Sequence, residues 1–299
     1  MPWPESGSGG KTGFPMRRKT IKATILGAGA LALMAGTAIA ADMPVVTKAP
    51  PMVGKAPVGS MFAVEYGGWV ATDYVFRGTS QSDRGPSAGA SLTAVWNKTF
   101  YLGIAGAAIS WPSSAAFLLS DPSAEIDFFG GVRATAGKWS FDVGAIYYYY
   151  PKEVFFESDF WEVYAIAKYA LTDQLTVGGS INYSPDYLNY GIDGTAGALN
   201  FAWTVPTSYK DLSFYLSGEV GHVWLGEVSS VGIFVPDYAH WNLGLGWTWK
   251  NITLDLRYHD MDKSGVGCQG IWNATATPAI NNWCGEAYVA KLSFAGSTE

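Results

Sequence analysis

A two-residue alternation of apolar and polar side chains constrains this chain more than any other feature. It begins near residue 61 and recurs in segments of roughly ten residues. Near the C-terminus, Trp241, Leu243 and Leu245 share one face of such a segment, whereas Asn242 and Gly244 lie on the other. From residue 61 onward, no segment has the i, i+3, i+4, i+7 apolar stripe of an amphipathic helix. The pattern therefore predicts an all-β chain.

The alternation divides the chain into twelve candidate strands joined by connections of two alternating lengths. The strands are predicted at residues 61–77, 86–96, 99–110, 124–136, 139–150, 159–170, 174–184, 195–205, 211–222, 238–249, 251–262 and 285–294. Short connections fall at 97–98, 137–138, 171–173, 207–210 and 250–251, and long ones at 78–85, 111–123, 151–158, 185–194, 223–237 and 263–284. An even strand number with all long loops at one end is typical of an outer-membrane barrel. The prediction is an all-β fold, a transmembrane antiparallel up-and-down β-barrel of about twelve strands.

The composition of the two strand faces separates a membrane barrel from a soluble one. Charged residues make up only 15% of the chain, aromatic residues also 15%, and 36 residues are glycine. The polar face is mainly Gly, Ser, Thr and Asn, whereas a soluble barrel would expose abundant Lys and Glu there. Aromatic residues lie near segment ends, as do Trp96, Phe100, Trp139, Tyr147 and Trp249. This arrangement favours lipid outside and a lumen kept roomy by small residues, over the alternative of a periplasmic sandwich or lipocalin-like barrel.

The first segment is predicted to run without interruption over residues 61–77. Its parity places Tyr74 and Phe76 on the lipid face and Arg77 in the lumen or at its mouth. Gly78 is then expected to begin the first external loop.

The N-terminal region has the features of a secretory signal peptide. Arg17, Arg18 and Lys19 precede an apolar stretch from residue 23 to 35, and Ala38-Ile39-Ala40 is a small-x-small cleavage site. We predict a signal peptide at 1–40 with Met16 as the natural start, and a Pro-rich periplasmic leader at 41–60. The barrel is assigned to 61–294 and a short C-terminal tail to 295–299. The predicted location is the bacterial outer membrane, after export through the inner membrane.

Both cysteines, Cys268 and Cys284, fall in the last long connection. In an exported chain this pair is predicted to form a disulfide, with two free thiols as the alternative. A closed loop of this size would stabilise the fold by about 3 kcal/mol in the chain-entropy model. The spacing matches no zinc pattern, and no metal or cofactor is predicted.

Ionisable residues on the polar face are the candidates for lining a pore. By strand parity these are Glu65, Asp73, Arg77, Glu125, Asp127, Arg133, Asp142, Glu162, Lys168, Glu219, Asp255, Arg257 and Lys291. Acids outnumber bases in this set. Two interpretations stay open: a water-filled path that favours cations, and a salt-bridged plug that fills a narrow interior.

An outer-membrane enzyme acting on lipid acyl chains is a third hypothesis. Such chemistry requires a nucleophile within reach of a base, and parity places only His240 and His259 on the lumen face. No G-x-S-x-G motif occurs, and the chain is predicted not to be an enzyme.

The stretch from Thr72 to Asp83, with the sequence TDYVFRGTSQSD, resembles the opening hallmark of the TorF family. The segments GAIYYYYP at 144–151 and YSP at 183–185 resemble the same family, and the likeness runs from about Glu65 to Phe294. The resemblance implies an outer-membrane β-barrel of a conserved bacterial family of unknown function, whose members are assigned as porins. It implies no substrate and no site residues.

The expected function is passive diffusion of small hydrophilic solutes or cations. The alternative is a structural or surface-interaction barrel with a plugged lumen. Expected partners are outer-membrane lipids, the barrel assembly machinery and small hydrophilic solutes. The net charge of −6 argues against nucleic acid. The oligomeric state, the pore radius and the permeant solute are left open.

Overall fold

The computed structural model describes residues 61–111, 122–153, 157–205, 207–209, 211–225, 227–228, 233–234, 237–263 and 283–298. The predicted signal peptide, its start at Met16 and the predicted leader lie outside these residues. Among the described residues, no helix has the length and apolar character needed to cross a membrane.

Twelve of the described strands close into one antiparallel barrel, as the sequence predicts. They are β1 (Phe62–Ala71), β4 (Ser87–Trp96), β5 (Phe100–Ala108), β6 (Ala124–Ala136), β7 (Trp139–Tyr149), β8 (Phe160–Ala170), β9 (Leu175–Ser184), β10 (Gly194–Val205), β11 (Leu212–Leu225), β14 (Tyr238–Trp249), β15 (Ile252–Met261) and β16 (Ala287–Ser297). Two hairpins lie outside the barrel wall: β2 (Val75–Phe76) with β3 (Thr79–Ser80), and β12 (Glu227–Val228) with β13 (Ile233–Phe234). A short 3₁₀ turn spans Tyr187–Asn189.

Each barrel strand pairs with its sequence neighbours, and β1 closes the barrel by pairing with β16. Closure runs from Glu65 opposite Ser297 to Ala71 opposite Lys291. A closed sheet leaves no strand edge, so its backbone N–H and C=O groups are paired without water. This is the condition that a β-structure must meet to cross hydrocarbon.

The outward face of the barrel is apolar. Ile104, Leu199 and Leu245, near the middle of their strands, are 42%, 67% and 52% exposed. Exposed aromatic residues flank this band at both ends; Trp96, Phe100, Trp139, Phe141 and Trp249 lie at the end with short turns, and Tyr147, Trp161, Tyr183, Trp224 and Trp241 at the end with long connections. An apolar belt between two aromatic girdles is the surface of an outer-membrane barrel.

The first strand differs from the prediction. Residues 61–77 were expected to form one strand, but β1 ends at Ala71 and Tyr74 is only 5% exposed. The prediction that Tyr74 and Phe76 face lipid is wrong, because the chain leaves the wall at Thr72 and turns into the barrel. Alternation alone cannot reveal this turn, since a hairpin inside the barrel also alternates apolar and polar residues.

The last strand is longer than predicted. It was expected to stop at Phe294, but β16 continues to Ser297, and Ala295, Gly296 and Ser297 pair with Gly67, Tyr66 and Glu65. The first part of the predicted C-terminal tail is therefore strand, because these residues complete the closure with β1.

Candidate functional site

The segment from Thr72 to Pro86, which we call the inner loop, joins β1 to β4 through the barrel interior. Its centre is the β2–β3 hairpin, in which Val75 pairs with Ser80 and Phe76 with Thr79. The two-residue turn has positive φ at both positions, 46° at Arg77 and 84° at Gly78. These are the signs of a type I′ turn, whose twist suits a tight hairpin. Arg77 is thus held at the tip of a rigid hairpin.

Asp73 organises the base of the inner loop. Its Oδ1 accepts hydrogen bonds from the hydroxyls of Ser80 and Ser82 at 2.6 and 2.9 Å. Its Oδ2 lies 3.4 Å from Nη1 of Arg84. Gln81 is also buried, and its Oε1 accepts a 2.9 Å bond from Nε1 of Trp111. Hydrogen bonds from Ser80 and Ser82 to Asp73 therefore hold the base of the loop together inside the barrel.

The inner loop is also fastened to the start of the last barrel strand. Nη2 of Arg84 donates to the carbonyl oxygens of Cys284 and Gly285, both at 3.0 Å. The backbone N–H of Ser80 donates to the carbonyl of Trp283 at 2.8 Å. Any movement of the inner loop must therefore break contacts with the end of the last long connection.

At its tip the inner loop crosses the lumen to the opposite wall. Nη1 and Nη2 of Arg77 bind the two carboxylate oxygens of Glu162, on β8, at 2.7 and 2.8 Å. β8 is five strands from β1 in one direction around the barrel and seven in the other. Burial by itself would lower the pKa of Arg77, but the Glu162 carboxylate raises it above its usual value. Arg77 therefore stays charged, and its two bonds to Glu162 join two sides of the barrel.

Gly78 brings the hairpin against a third part of the wall. A Cβ added there would lie 2.7 Å from Cβ of His240, on β14, and 3.2 Å from Cβ of Met261, on β15. The hairpin tip is thus wedged between β8 and the β14–β15 pair. The inner loop forms a constriction near the end with the long connections.

The other side of the inner loop contacts β6. The hydroxyl of Tyr74 donates to Oε1 of Glu125 at 2.7 Å, and that of Tyr150 donates to Oε2 at 2.8 Å. Burial raises the pKa of Tyr74 well above its usual value, and the charges of Glu125 and Asp127 raise it further. Tyr74 therefore remains a protonated donor over the physiological pH range.

A second polar network lies deeper in the barrel, on β5 to β8. The Tyr101 hydroxyl donates to Oδ1 of Asp142 at 2.5 Å and contacts the hydroxyl of Tyr164. The Arg133 guanidinium lies 4.2 Å from the Tyr101 ring centroid and within 3.2 Å of Oε2 of Glu65. Nε of Arg133 lies 3.5 Å from Oδ2 of Asp142, and neither atom has a hydrogen-bond partner among the described residues. Side chains therefore fill this side of the lumen, although not every buried polar atom in it is hydrogen-bonded.

A third network fills the side formed by β11, β14 and β15. Arg257 donates through Nη1 to Asn242 at 2.6 Å and through Nη2 to Ser217 at 2.8 Å. It also pairs with Asp255 at 3.0 Å, while the Tyr215 hydroxyl donates to the same carboxylate at 2.6 Å. Asp255 is only 2% exposed, and the Arg257 guanidinium and the Tyr215 hydroxyl compensate its charge.

On one side of the barrel, the wall of β8 to β11 lies between these two networks and is less tightly filled than they are. Its inward-facing Lys168, Ser180, Asn200 and Glu219 are each only partly buried. Gly178 lies beside Lys168 and Asn200 and adds no side chain. We call this partly exposed part of the wall the open wall.

The structure places the thirteen predicted lumen residues in two settings. Eleven are on barrel strands, on the face opposite the exposed apolar side chains: Glu65, Glu125, Asp127, Arg133, Asp142, Glu162, Lys168, Glu219, Asp255, Arg257 and Lys291. Asp73 and Arg77 belong to the inner loop rather than to a strand. Whether these residues line a conducting path stays a prediction.

Tyrosines are the functional residues that sequence reasoning missed. Tyr101, Tyr148, Tyr164 and Tyr215 are each at most 5% exposed and face the interior. Parity could have found them, because each shares a strand face with a predicted lumen residue or a small residue. Tyr74 carried no such signal, since its position depends on the path of the inner loop.

Glycine on the inner face proves to have a different role from the expected one. At Gly131 and Gly144 the hydroxyls of Tyr101 and Tyr164 occupy the place of a Cβ, and at Gly244 the Arg257 guanidinium does so. These glycines do not leave the lumen open. They make room for large side chains from neighbouring strands.

Cys284 lies beside the inner loop, but Cys268 is outside the described residues, so the disulfide stays a prediction. Among the residues that are described, no group of three or more His, Cys, Asp or Glu side chains could hold a metal ion.

Fold and site together define an outer-membrane β-barrel whose first long connection folds inward and constricts the lumen. Residues 55–280 match the family described as "Bacterial protein of unknown function (Gcw_chp)", and the chain belongs to this family. No curated protein matches it in sequence.

Solved structures with a similar barrel include two porins and a channel. The KdgM porin is 9% identical, with a TM-score of 0.46 over 78% of this chain and 98% of that one. The NanC porin is 10% identical, with a TM-score of 0.45 over 78% and 98%. An outer-membrane channel from Pseudomonas putida F1 is 14% identical, with a TM-score of 0.42 over 81% and 97%.

Proposed function

We propose that the protein is a narrow outer-membrane channel for passive diffusion of small hydrophilic solutes, with a preference for cations. The open wall is the observation that carries this proposal. Its inward-facing Lys168, Ser180, Asn200 and Glu219 are partly exposed inside the barrel, whereas both flanking networks are largely buried. The resemblance to the TorF porins supports the same function.

The preference for cations follows from the charges inside the barrel. Acids outnumber bases among the thirteen inward ionisable residues, and several acids lie close to the constriction. A ring of carboxylates lowers the energy of a cation and raises that of an anion in a narrow pore. Glu219 contributes one such charge on the open wall itself.

Planar-bilayer recording tests the channel directly. The folded barrel, identified by its heat-modifiable migration, is expected to give discrete conductance steps and a reversal potential displaced towards that of K⁺ in a KCl gradient. The same preparation unfolded before reconstitution is the control. If the folded protein gives no steps, the channel proposal fails while the barrel assignment stands.

The open wall predicts a position-specific block. Ser180→Trp places a large side chain into the water-filled part of the lumen and is expected to lower the single-channel conductance. Ile181→Trp adds the same ring one residue later, where the side chain faces lipid and is 53% exposed, and should conduct as wild type does. Equal conductance in the two variants would contradict a path along the open wall.

A second candidate function is a surface-interaction barrel with a plugged lumen. It is favoured by the inner loop, which crosses the interior and is hydrogen-bonded to the C-terminal end of the last long connection. For this candidate we expect no discrete conductance and loss of surface binding when residues 268–282 are removed. That deletion spares Trp283 and Cys284, whose carbonyls anchor the inner loop.

We propose no catalytic role. His240 and His259 are each 4% exposed and face the barrel interior, on the side opposite the lipid that an acyl hydrolase must reach. Acyl-hydrolase activity of the wild type that disappears in His240→Ala or His259→Ala would contradict this.

A further inference from the structure

Three buried carboxylates lie around the constriction, near the end of the barrel with the long connections. Glu125, Asp127 and Glu162 are 3%, 1% and 2% exposed. A buried carboxylate is stable only if a cation, a proton or several hydrogen bonds compensate its charge. The compensation differs sharply among the three.

Glu162 is fully compensated. It forms the bidentate pair with Arg77 and also accepts hydrogen bonds from the Tyr148 hydroxyl and the Asn182 amide, both at 3.2 Å. One positive charge therefore cancels one negative charge.

Glu125 accepts hydrogen bonds, but no positive charge neutralises it. Its two oxygens accept the hydroxyls of Tyr74 and Tyr150, which are neutral donors. These bonds orient the carboxylate and leave its negative charge in place.

Asp127 has the weakest compensation. Its Oδ1 is buried and has no hydrogen-bond partner among the described residues. Asp127 follows Glu125 by two positions on β6, so both side chains project from the same face of the strand.

We propose that Glu125 and Asp127, with the hydroxyls of Tyr74 and Tyr150, form a site for one hard metal cation such as Ca²⁺ or K⁺. Hard cations prefer oxygen ligands, carboxylates first among the side chains, and the two hydroxyls add neutral oxygens beside the carboxylates. The unpartnered oxygen of Asp127 is available as a ligand without breaking any hydrogen bond.

Two carboxylates are fewer than a dedicated metal site uses. A cation held by only two charged ligands exchanges readily, and conduction through a narrow pore requires binding that is weak enough for release. The inference deepens the proposed channel function by naming a site at which a permeating cation pauses. Binding itself requires only the folded barrel.

Thermal unfolding of the full-length folded barrel tests the site without measuring conductance. The cation is supplied as Ca²⁺ or, in a parallel series, as K⁺, and the reference buffer contains a chelator and N-methyl-D-glucamine as a cation too large to enter. A ligand that binds only the native state raises the unfolding temperature with the logarithm of its concentration above Kd. We expect this rise in the wild type with at least one of the two cations.

Asp127→Asn is the critical variant, because it removes the charge and keeps the shape of the side chain. It is expected to lose the cation-dependent rise. In the reference buffer it should unfold at the same temperature as the wild type or higher, since an uncompensated charge has been removed. Asp83→Asn is the matched control: Asp83 is an exposed acid of the inner loop with φ 51°, which asparagine tolerates, and this variant should retain the rise.

Each other outcome overturns the proposal. A rise that persists in Asp127→Asn, or is lost equally in Asp83→Asn, would assign it to surface charge. A different result would be that neither cation raises the unfolding temperature and that Asp127→Asn is more stable than the wild type at neutral pH but not at low pH. That result would assign a proton, rather than a metal cation, to the pair of Glu125 and Asp127. The two proposals can fail independently. Cation binding without conductance would contradict the channel function alone, and conductance without cation binding would contradict the cation site alone.

Discussion

Arg77→Met is expected to destabilise the barrel by about 3–5 kcal/mol and to increase its conductance several-fold. The substitution leaves Glu162, which is 2% exposed, without the guanidinium that pairs with it at 2.7 Å. An unpaired buried carboxylate is costly, and the tip of the inner loop loses its bond to the opposite wall. The unfolding free energy measured in urea and the single-channel conductance would each report the change.

A double substitution separates the charge from the fold. Arg77→Met combined with Glu162→Met removes both charges, so most of the lost stability should return while the conductance stays high. Lys263→Met is the matched single-charge control, because its pair with Asp262 is exposed and contributes at most about 1 kcal/mol. A wild-type conductance in Arg77→Met would show that the pair does not hold the constriction.

Gly78→Ala is expected to displace the hairpin tip and to cost about 1–3 kcal/mol from overpacking, with a further cost from the positive φ. The new methyl group would lie 2.7 Å from Cβ of His240, closer than real carbon atoms approach. Because His240 belongs to the barrel wall, we expect the hairpin tip to move away from β14 while the wall keeps its position. We expect lower stability and a larger conductance, measured as for Arg77→Met.

Gly191→Ala isolates the contribution of the backbone angle. Gly191 has a φ of 72°, close to the 84° of Gly78, but nothing lies within 4 Å of an added Cβ. It should show only the smaller loss of stability and an unchanged conductance. If Gly78→Ala behaves no worse than Gly191→Ala, the hairpin is not wedged against β14 and β15.

Local pattern accounts for most of what the sequence predicts correctly. Strands such as β14 and β15 alternate because one face contacts lipid and the other the interior, and this requirement acts on each residue separately. Alternation therefore gives a wrong strand prediction where something other than contact with lipid produces the alternating pattern. Beyond Ala71 the alternating residues form a hairpin inside the barrel, so the same pattern has a different origin.

By itself, the sequence determined the barrel class, the strand order and which face of each strand meets lipid, because these depend on residue spacing along one strand. Only the tertiary structure decided how the lumen is filled. The pairing of Arg77 with Glu162, the wedge of Gly78 against His240 and the side chains that occupy Gly131 and Gly144 join residues far apart in the chain. These contacts arise from barrel closure and from the path of the inner loop, which no short-range periodicity encodes.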